Sequence, residues 1–222
     1  MNETVKVNEL LDLSHSIAAP LFEGIDYPWQ ALEGIKAFIL QLGPTLDKEL
    51  FEEISENVWV AKDAKIAPTA FLGAPCIIDS GAEVRHCAFI RGSAIVGKNA
   101  VVGNSVELKN VVLFDNVQTP HYNYVGDSIL GYKAHMGAGS ITSNVKSDKS
   151  LVVVKGEDVL VETGRKKFGA ILGDFVEVGC NSVLNPGTVV GRHSNIYPCS
   201  SVRGAVPQES IYKAKDNIVK KV

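Results

Sequence analysis

The chain has 222 residues, 45% of them apolar and 21% charged, with a formal net charge of −3. That composition excludes default disorder and supports a sizeable core, in one domain or one domain with an appendage. The slight negative charge gives no overall attraction to nucleic acid or to an anionic membrane, so the expected ligand is small.

In chain order, the opening MNETVKVNELLDLSHSIAAP spreads charges throughout and lacks the apolar run of a secretory signal. No stretch approaches the roughly 20 apolar residues of a membrane span, so a soluble, cytoplasmic protein is expected. Cys76, Cys87, Cys180 and Cys199 are widely spaced without a CxxC pair, which argues against a zinc ribbon, thioredoxin-type chemistry or a disulfide framework. Pro28 to Leu42 reads as an amphipathic helix, with Trp29, Leu32, Ile35, Ile39 and Leu42 on one face and Gly43-Pro44 as its stop. A second short helix is expected over Lys48 to Ile54. Residues 1–56 are expected to form a helical cap over the open end of the repeats that follow, where unpaired strand groups would otherwise be exposed.

Apolar residues then recur at every sixth position: Val60, Ile66, Leu72, Ile78, Val84, Ile90, Val96, Val102, Leu108 and Phe114. The period resumes in a new phase at Leu130, Met136 and Thr142, and runs again from Leu172 to Val202. Four residues after each large residue stands a mostly small one, such as Ala64, Ala70, Cys76, Ala82 and Ala88. Neither a 3.6-residue helix nor simple strand alternation has a period of six, so the pattern predicts short strands joined by corners, three to a coil, with coils about 4.8 Å apart. The fold class is all-β, a left-handed parallel β-helix of hexapeptide repeats over residues 57–207, with residues 208–222 as a tail. The hand is inferred from the hexapeptide pattern, because ordinary parallel crossovers are right-handed. A β-sandwich would need turn signals at about 8 to 12 residues instead of six.

Two stretches break the rhythm, Asp115 to Ile129 and Ser143 to Ala170, and interruptions of a repeat are where sites or subunit contacts are expected. The first contains His121, whose ordinary pKa near 6.5 suits a general base, although a lone loop histidine also reads as a surface residue. The second carries Arg165-Lys166-Lys167, three positive charges suited to phosphate groups of coenzyme A or of a sugar, or simply to a solvated loop.

Four ordered motifs, FIRGSAIVGKNAVVGNSVELKN (Phe89 to Asn110), HYNYVGD (His121 to Asp127), MGAGSITSN (Met136 to Asn144) and ETGRKKFGAILGDFVEVG (Glu162 to Gly179), resemble a known family. It is the C-terminal acetyltransferase domain of the bifunctional UDP-N-acetylglucosamine pyrophosphorylase/glucosamine-1-phosphate N-acetyltransferases, especially archaeal-type and standalone relatives. The likeness covers roughly Phe89 to Arg203, and the chain carries no glycine-rich nucleotidyltransferase start. The resemblance implies His121 as catalytic base, Asn144 lining the amino-sugar site, Tyr124 touching substrate, and Arg91 and Lys109 holding the sugar phosphate. It implies Ala138 meeting acetyl-CoA through its backbone, with Cys180 where relatives often carry a serine that touches the coenzyme. His135 stands where bacterial relatives usually have an asparagine in the sugar pocket.

The expected reaction is therefore acetylation of an amino-sugar phosphate, glucosamine-1-phosphate first among them, by acetyl-CoA on the way to UDP-N-acetylglucosamine. His121 would take the amine proton, and a backbone N–H between Gly137 and Gly139 would stabilise the developing oxyanion. Arg165 and Lys166 are candidate coenzyme contacts, and no metal is required. The resemblance further implies a homotrimer with sites between subunits, and leaves open a separate nucleotidyltransferase partner. Two other readings stand beside it. One is a non-catalytic subunit that binds a sugar nucleotide or coenzyme A. The other is a γ-type carbonic anhydrase, for which His86 and His121 have fitting separation but Gly126 occupies the place of the third histidine.

Overall fold

The computed structural model describes residues 3–221. From Val58 to Ala214 the chain winds through short strands that stack in parallel on three faces of a left-handed prism, the strand Ser210–Ala214 of the expected tail pairing in parallel with Asn195–Ile196. Face I begins with Val58–Ala61, Cys76–Ile78 and Ala94–Val96, face II with Lys65–Ile66, Glu83–Val84 and Val101–Asn104, and face III with Phe71–Leu72 and Phe89–Ile90. The long strands Glu107–Leu113 and Tyr124–Leu130 each cross from face III to face I, joining those two faces into one sheet.

The phase change in the sequence has a simple geometric origin. Cys76 stacks on Ala94, eighteen residues on, but Ala94 stacks on Val111 and Val111 on Ser128, each seventeen residues on. One residue is dropped at the corner between faces III and I, at Asn110 and again at Asp127, both of which adopt positive φ. The six-residue core positions remain inside throughout: Ile78, Val84, Ile90, Val96, Val102 and Leu108 are all buried.

Face I is apolar on both sides. Its inward residues meet the prism core, and its outward column of Ile77, Ile95, Val112, Ile129, Ile171 and Val189 is also buried. Two segments cover it. One is the N-terminal region, whose helices lie along the flank of the prism while its last strand, Phe51–Ser55, reaches the open end: the α-helix Ile35–Leu42 packs on face I beside the first coils, and Trp29 sits against Phe168 at 5.5 Å between ring centres. The other is the excursion 143–169, whose antiparallel hairpin of Val153–Lys155 and Leu160–Glu162 folds back beside the last coils, with Val152 against Gly187.

Two helix expectations are corrected. Pro28–Glu33 is a 3-10 helix, and the α-helix starts only after Gly34, whose missing side chain leaves room for Leu21. Over Lys48 to Ile54 there is no helix. Phe51–Ser55 is a strand pairing antiparallel with Val58–Ala61, so that the free edge of the first coil captures a segment of good helix formers. At the other end Asn217–Lys220 pairs antiparallel with Ser210–Ala214.

Candidate functional site

At the corner between faces II and III the coils place His86, Asn104, His121, Ala138 and Cys180 in one column, linked by backbone bonds from the residue after each to the carbonyl of the one before: Tyr122 N to Asn104 O, Gly139 N to His121 O and Asn181 N to Ala138 O. His121 ends the strand Gln118–His121 and is exposed, and among the described residues its ring has no hydrogen-bond or ion-pair partner. Its backbone is fixed. The buried Asn123 accepts from His121 N at 3.2 Å and donates to Gly137 O at 2.9 Å and Ser140 O at 3.0 Å. One side chain therefore holds the histidine corner against the corner of the next coil.

That next corner contains the expected oxyanion donors, and the structure narrows them to one. Gly137 N donates to Val178 O at 2.7 Å and Gly139 N to His121 O at 3.0 Å, so both are spent in the ladder. Among the described residues Ala138 N has no partner, and it lies one coil from His121. Cys180 follows one coil further, exposed. His121, Ala138, Gly139 and Cys180 are thus brought together along one edge.

About 10 Å of extended chain, Tyr124 to Gly126, separates this edge from the opposite corner of face III. There the buried Asp127 carboxylate accepts from Lys109 Nζ at 3.0 and 3.1 Å, from Asn110 Nδ2 at 3.0 Å and from Asn144 Nδ2 at 2.6 Å. Asn110 also donates to Leu32 O, tying the N-terminal region to the same point. Tyr124 lies between the two edges, its hydroxyl accepting from Asn144 Nδ2 at 3.3 Å. Burial, and then the Asp127 and Glu107 charges, push the Tyr124 phenol above its ordinary pKa, so it stays neutral and keeps its proton for donation. A β-carbon at position 126 would come within 2.5 Å of the Tyr124 hydroxyl, so any larger residue there must displace that ring.

The two expected phosphate-binding cations are already paired within the chain, Lys109 with Asp127 and Arg91 with Glu107 at 2.8 Å. Arg91 and Glu107 are both substantially exposed, and such a pair opens cheaply to an incoming anion; Lys109, with its partner buried, does not. His135 stands on face II, its Nδ1 2.7 Å from Glu177 Oε2, so it and Tyr124 look out from different faces on either side of the His121 edge. Arg165 and Lys166 lie beside Asn144, away from the His121 column: Lys167 bridges to Val145 and Phe168 N donates to Asn144 O. Arg165 is turned to Glu33 at 3.8 Å and donates to the Lys167 carbonyl, so the excursion folds onto its own prism. With Gln30, Glu33 and Thr163 the three basic residues line an open cavity of about 520 Å³.

Asn123, Asp127, Asn110 and Glu177 were not assigned from sequence. Two of them lie within the HYNYVGD segment, and the dropped residue at each short corner marked Asn110 and Asp127. The place of the third carbonic anhydrase histidine is Gly126, covered by the Tyr124 ring, and His86 is bonded to Thr69 Oγ1 at 3.0 Å.

A prism of stacked hexapeptide coils with small-residue corners and an exposed edge histidine defines the class of left-handed β-helix proteins. Residues 72–166 match the model of the GMPPB C-terminal domain. The chain is 34% identical over 197 residues to the bifunctional protein GlmU of Methanococcus maripaludis, covering 88% of this chain and 48% of that protein. It is 28% identical over 214 residues to a bifunctional sugar-1-phosphate nucleotidylyltransferase/acetyltransferase of Sulfurisphaera tokodaii, covering 92% and 53%. The chain is thus related to GlmU-type proteins over most of its own length, and it spans about half the length of these relatives. Among solved structures it is similar to a variant of AntD, an N-acyltransferase from Bacillus cereus, in complex with dTDP and coenzyme A, with 16% identity, a TM-score of 0.37, and coverage of 74% of this chain and 79% of that one.

Proposed function

We propose that the protein is an acyltransferase that moves an acetyl group from acetyl-CoA to the amine of a sugar phosphate or sugar nucleotide, glucosamine-1-phosphate being the first candidate. The observation that carries this reading is the juxtaposition of an unpartnered imidazole, His121, with an unspent N–H, Ala138, on adjacent coils of one edge. Acetyl-CoA would supply the acyl group as a thioester along the Ala138 to Cys180 edge, where small side chains leave the corner open. The His121 ring accepts the proton released as the amine nitrogen bonds to the acyl carbon, and it then returns a proton to the thiolate that departs as the carbon–sulfur bond breaks. The Ala138 N–H faces the negative charge that builds on the thioester oxygen. Face III is the floor for the sugar: Tyr124 and Asn144 offer hydrogen bonds at its centre, and Arg91 exchanges its exposed partner Glu107 for the phosphate.

One chain offers only open walls, with Tyr124 and His135 on different faces of the prism. A homotrimer would complete the site, the neighbouring copy laying its face II edge against face III. A separate nucleotidyltransferase would then use the acetylated sugar phosphate. The relatives named above are bifunctional proteins of about twice this length, which supports that pairing.

The test is release of free thiol from acetyl-CoA in the presence of glucosamine-1-phosphate and other amino-sugar phosphates. Turnover is expected, and His121→Ala should lower kcat about 10²–10⁴-fold. Absence of release with every amine, or full activity in the variant, overturns the catalytic reading; bound coenzyme A without release would favour a binding subunit.

A further inference from the structure

A third corner, between faces I and II, carries a separate feature. Here Ser80, Lys98, Asp115 and Tyr132 stack on successive coils, and the N-terminal region crosses them, tied by Asp115 N to His15 O. Between that crossing and the corner lies a cavity of about 560 Å³, within the size range of small-ligand sites. Its lining combines Ile17, Leu50, Phe51 and Ala61 with the charged Glu49, Lys62, Asp63, Asp79, Lys98 and Asp115.

The carboxylates differ in how they are satisfied. Asp63 accepts from Ser80 Oγ at 2.7 Å and Gly81 N at 3.1 Å, and Asp115 from Lys98 N at 2.8 Å. Asp79 is 2% exposed, accepts from Ser80 N through one oxygen, and among the described residues has no partner for the other. A buried carboxylate oxygen without a donor is costly, and natural structures retain one where an ion, a water or a ligand group meets it. Burial accordingly pushes the Asp79 carboxyl above its ordinary range, with the charges of Asp115 and Asp63 adding to the effect and Lys98 opposing it. The ammonium groups of Lys62 and Lys98 form no ion pair among the described residues. The cavity thus sets one buried, half-satisfied carboxylate and the less buried Glu49, Asp63 and Asp115 beside two lysines that form no ion pair among the described residues, with an apolar wall.

We propose that this cavity binds a small apolar zwitterion, a free α-amino acid by chemical class, with its ammonium on Asp79, its carboxylate on Lys98 and its side chain against Ile17, Leu50 and Phe51. A plain amine leaves both lysines without an ion pair, and a plain anion leaves Asp79 as it is; a ligand bearing both charges meets both. The site shares no residue with the His121 edge or the Asp127 corner. Because its occupant would bridge the N-terminal region and the first coils, binding there clamps that region to the prism.

The test is calorimetric titration of the full chain with L-leucine, 3-methylbutylamine and 4-methylpentanoate in turn. Leucine should bind once per chain, with each single-charge analogue at least about tenfold weaker. Asp79→Asn and Lys98→Gln should each weaken leucine about tenfold or more while leaving the melting transition cooperative. Since Lys98 is exposed, its variant carries the test even if the Asp79 variant fails to fold. No saturable binding of leucine, analogues that bind as well as leucine, or leucine affinity unchanged in the variants, overturns the proposal.

Discussion

Asn123 fastens the backbone of His121 to the coil above it. Its carbonyl oxygen takes the His121 N–H, and its amide gives hydrogens to Gly137 and Ser140, on either side of the Ala138 turn. The distance between proposed base and proposed oxyanion donor is therefore set by one buried side chain.

Asn123→Ala should destabilise the fold by about 1–3 kcal/mol, since it leaves the buried Ser140 carbonyl without its side-chain donor, while Gly137 O keeps those from Ser140. Thermal melts measure that cost. If the positioning role holds, kcat in the thiol-release assay falls further than KM changes, whereas a purely structural role would spare kcat in the folded fraction.

Lys109→Met strands the Asp127 carboxylate, which is 4% exposed. With Asn110 and Asn144 still donating and Lys109 itself partly solvated, the expected loss is about 2–3 kcal/mol, toward the lower end for a broken buried pair. Adding Asp127→Asn to Lys109→Met should recover part of it. Were the lysine a phosphate ligand alone, the single variant would raise KM without shifting denaturant midpoints.

Gly126→Ala places a methyl where the Tyr124 hydroxyl lies, and the ring must swing off Asn144. Stability should change by about 1 kcal/mol or less, because the displaced atom is the tip of a side chain. KM for the amino sugar should rise several-fold, and KM for acetyl-CoA should stay as it was, readable from paired saturation curves.

Asp79, Asp115 and Asp174 are all held above the ordinary carboxyl value of 3.8 by burial. The folded chain therefore keeps protons that the unfolded chain has lost, and each group's contribution to stability declines as pH rises from 3.8 through its folded value. Asp79→Asn removes one such group. The variant's melting temperature relative to the parent should be lowest near pH 3.5 and rise toward pH 7; a difference flat across that range would show that Asp79 is not perturbed.

The prism was legible because its period is a property of stacking. Each sixth residue meets its counterpart one coil away, so Val84, Val102 and their successors reveal the fold without any long-range knowledge. The covering of face I was written in the sequence as well, in Ile77, Ile95 and Val112, but a six-residue period tracks the inward positions and is silent about neighbours of the opposite parity. The segment KELFEEI failed for a different reason: local propensity favours a helix, and the open edge of Val58–Ala61 overrides it. At the site, His121 and Tyr124 stood out through their motif, while Asn123 and Asp127 acquire meaning only from the carbonyls and amides that neighbouring coils bring to them.

The strand Phe51–Ser55 at one end and the strand Asn217–Lys220 at the other each run against the direction of the coils. A parallel solenoid whose ends matched would accept another copy as simply one more turn, and growth along the axis would have no natural stop. The reversed strand lies on the face I edge at one end and on the face II edge at the other, so copies stacked head to tail would meet with edges on different faces instead of continuing the coils.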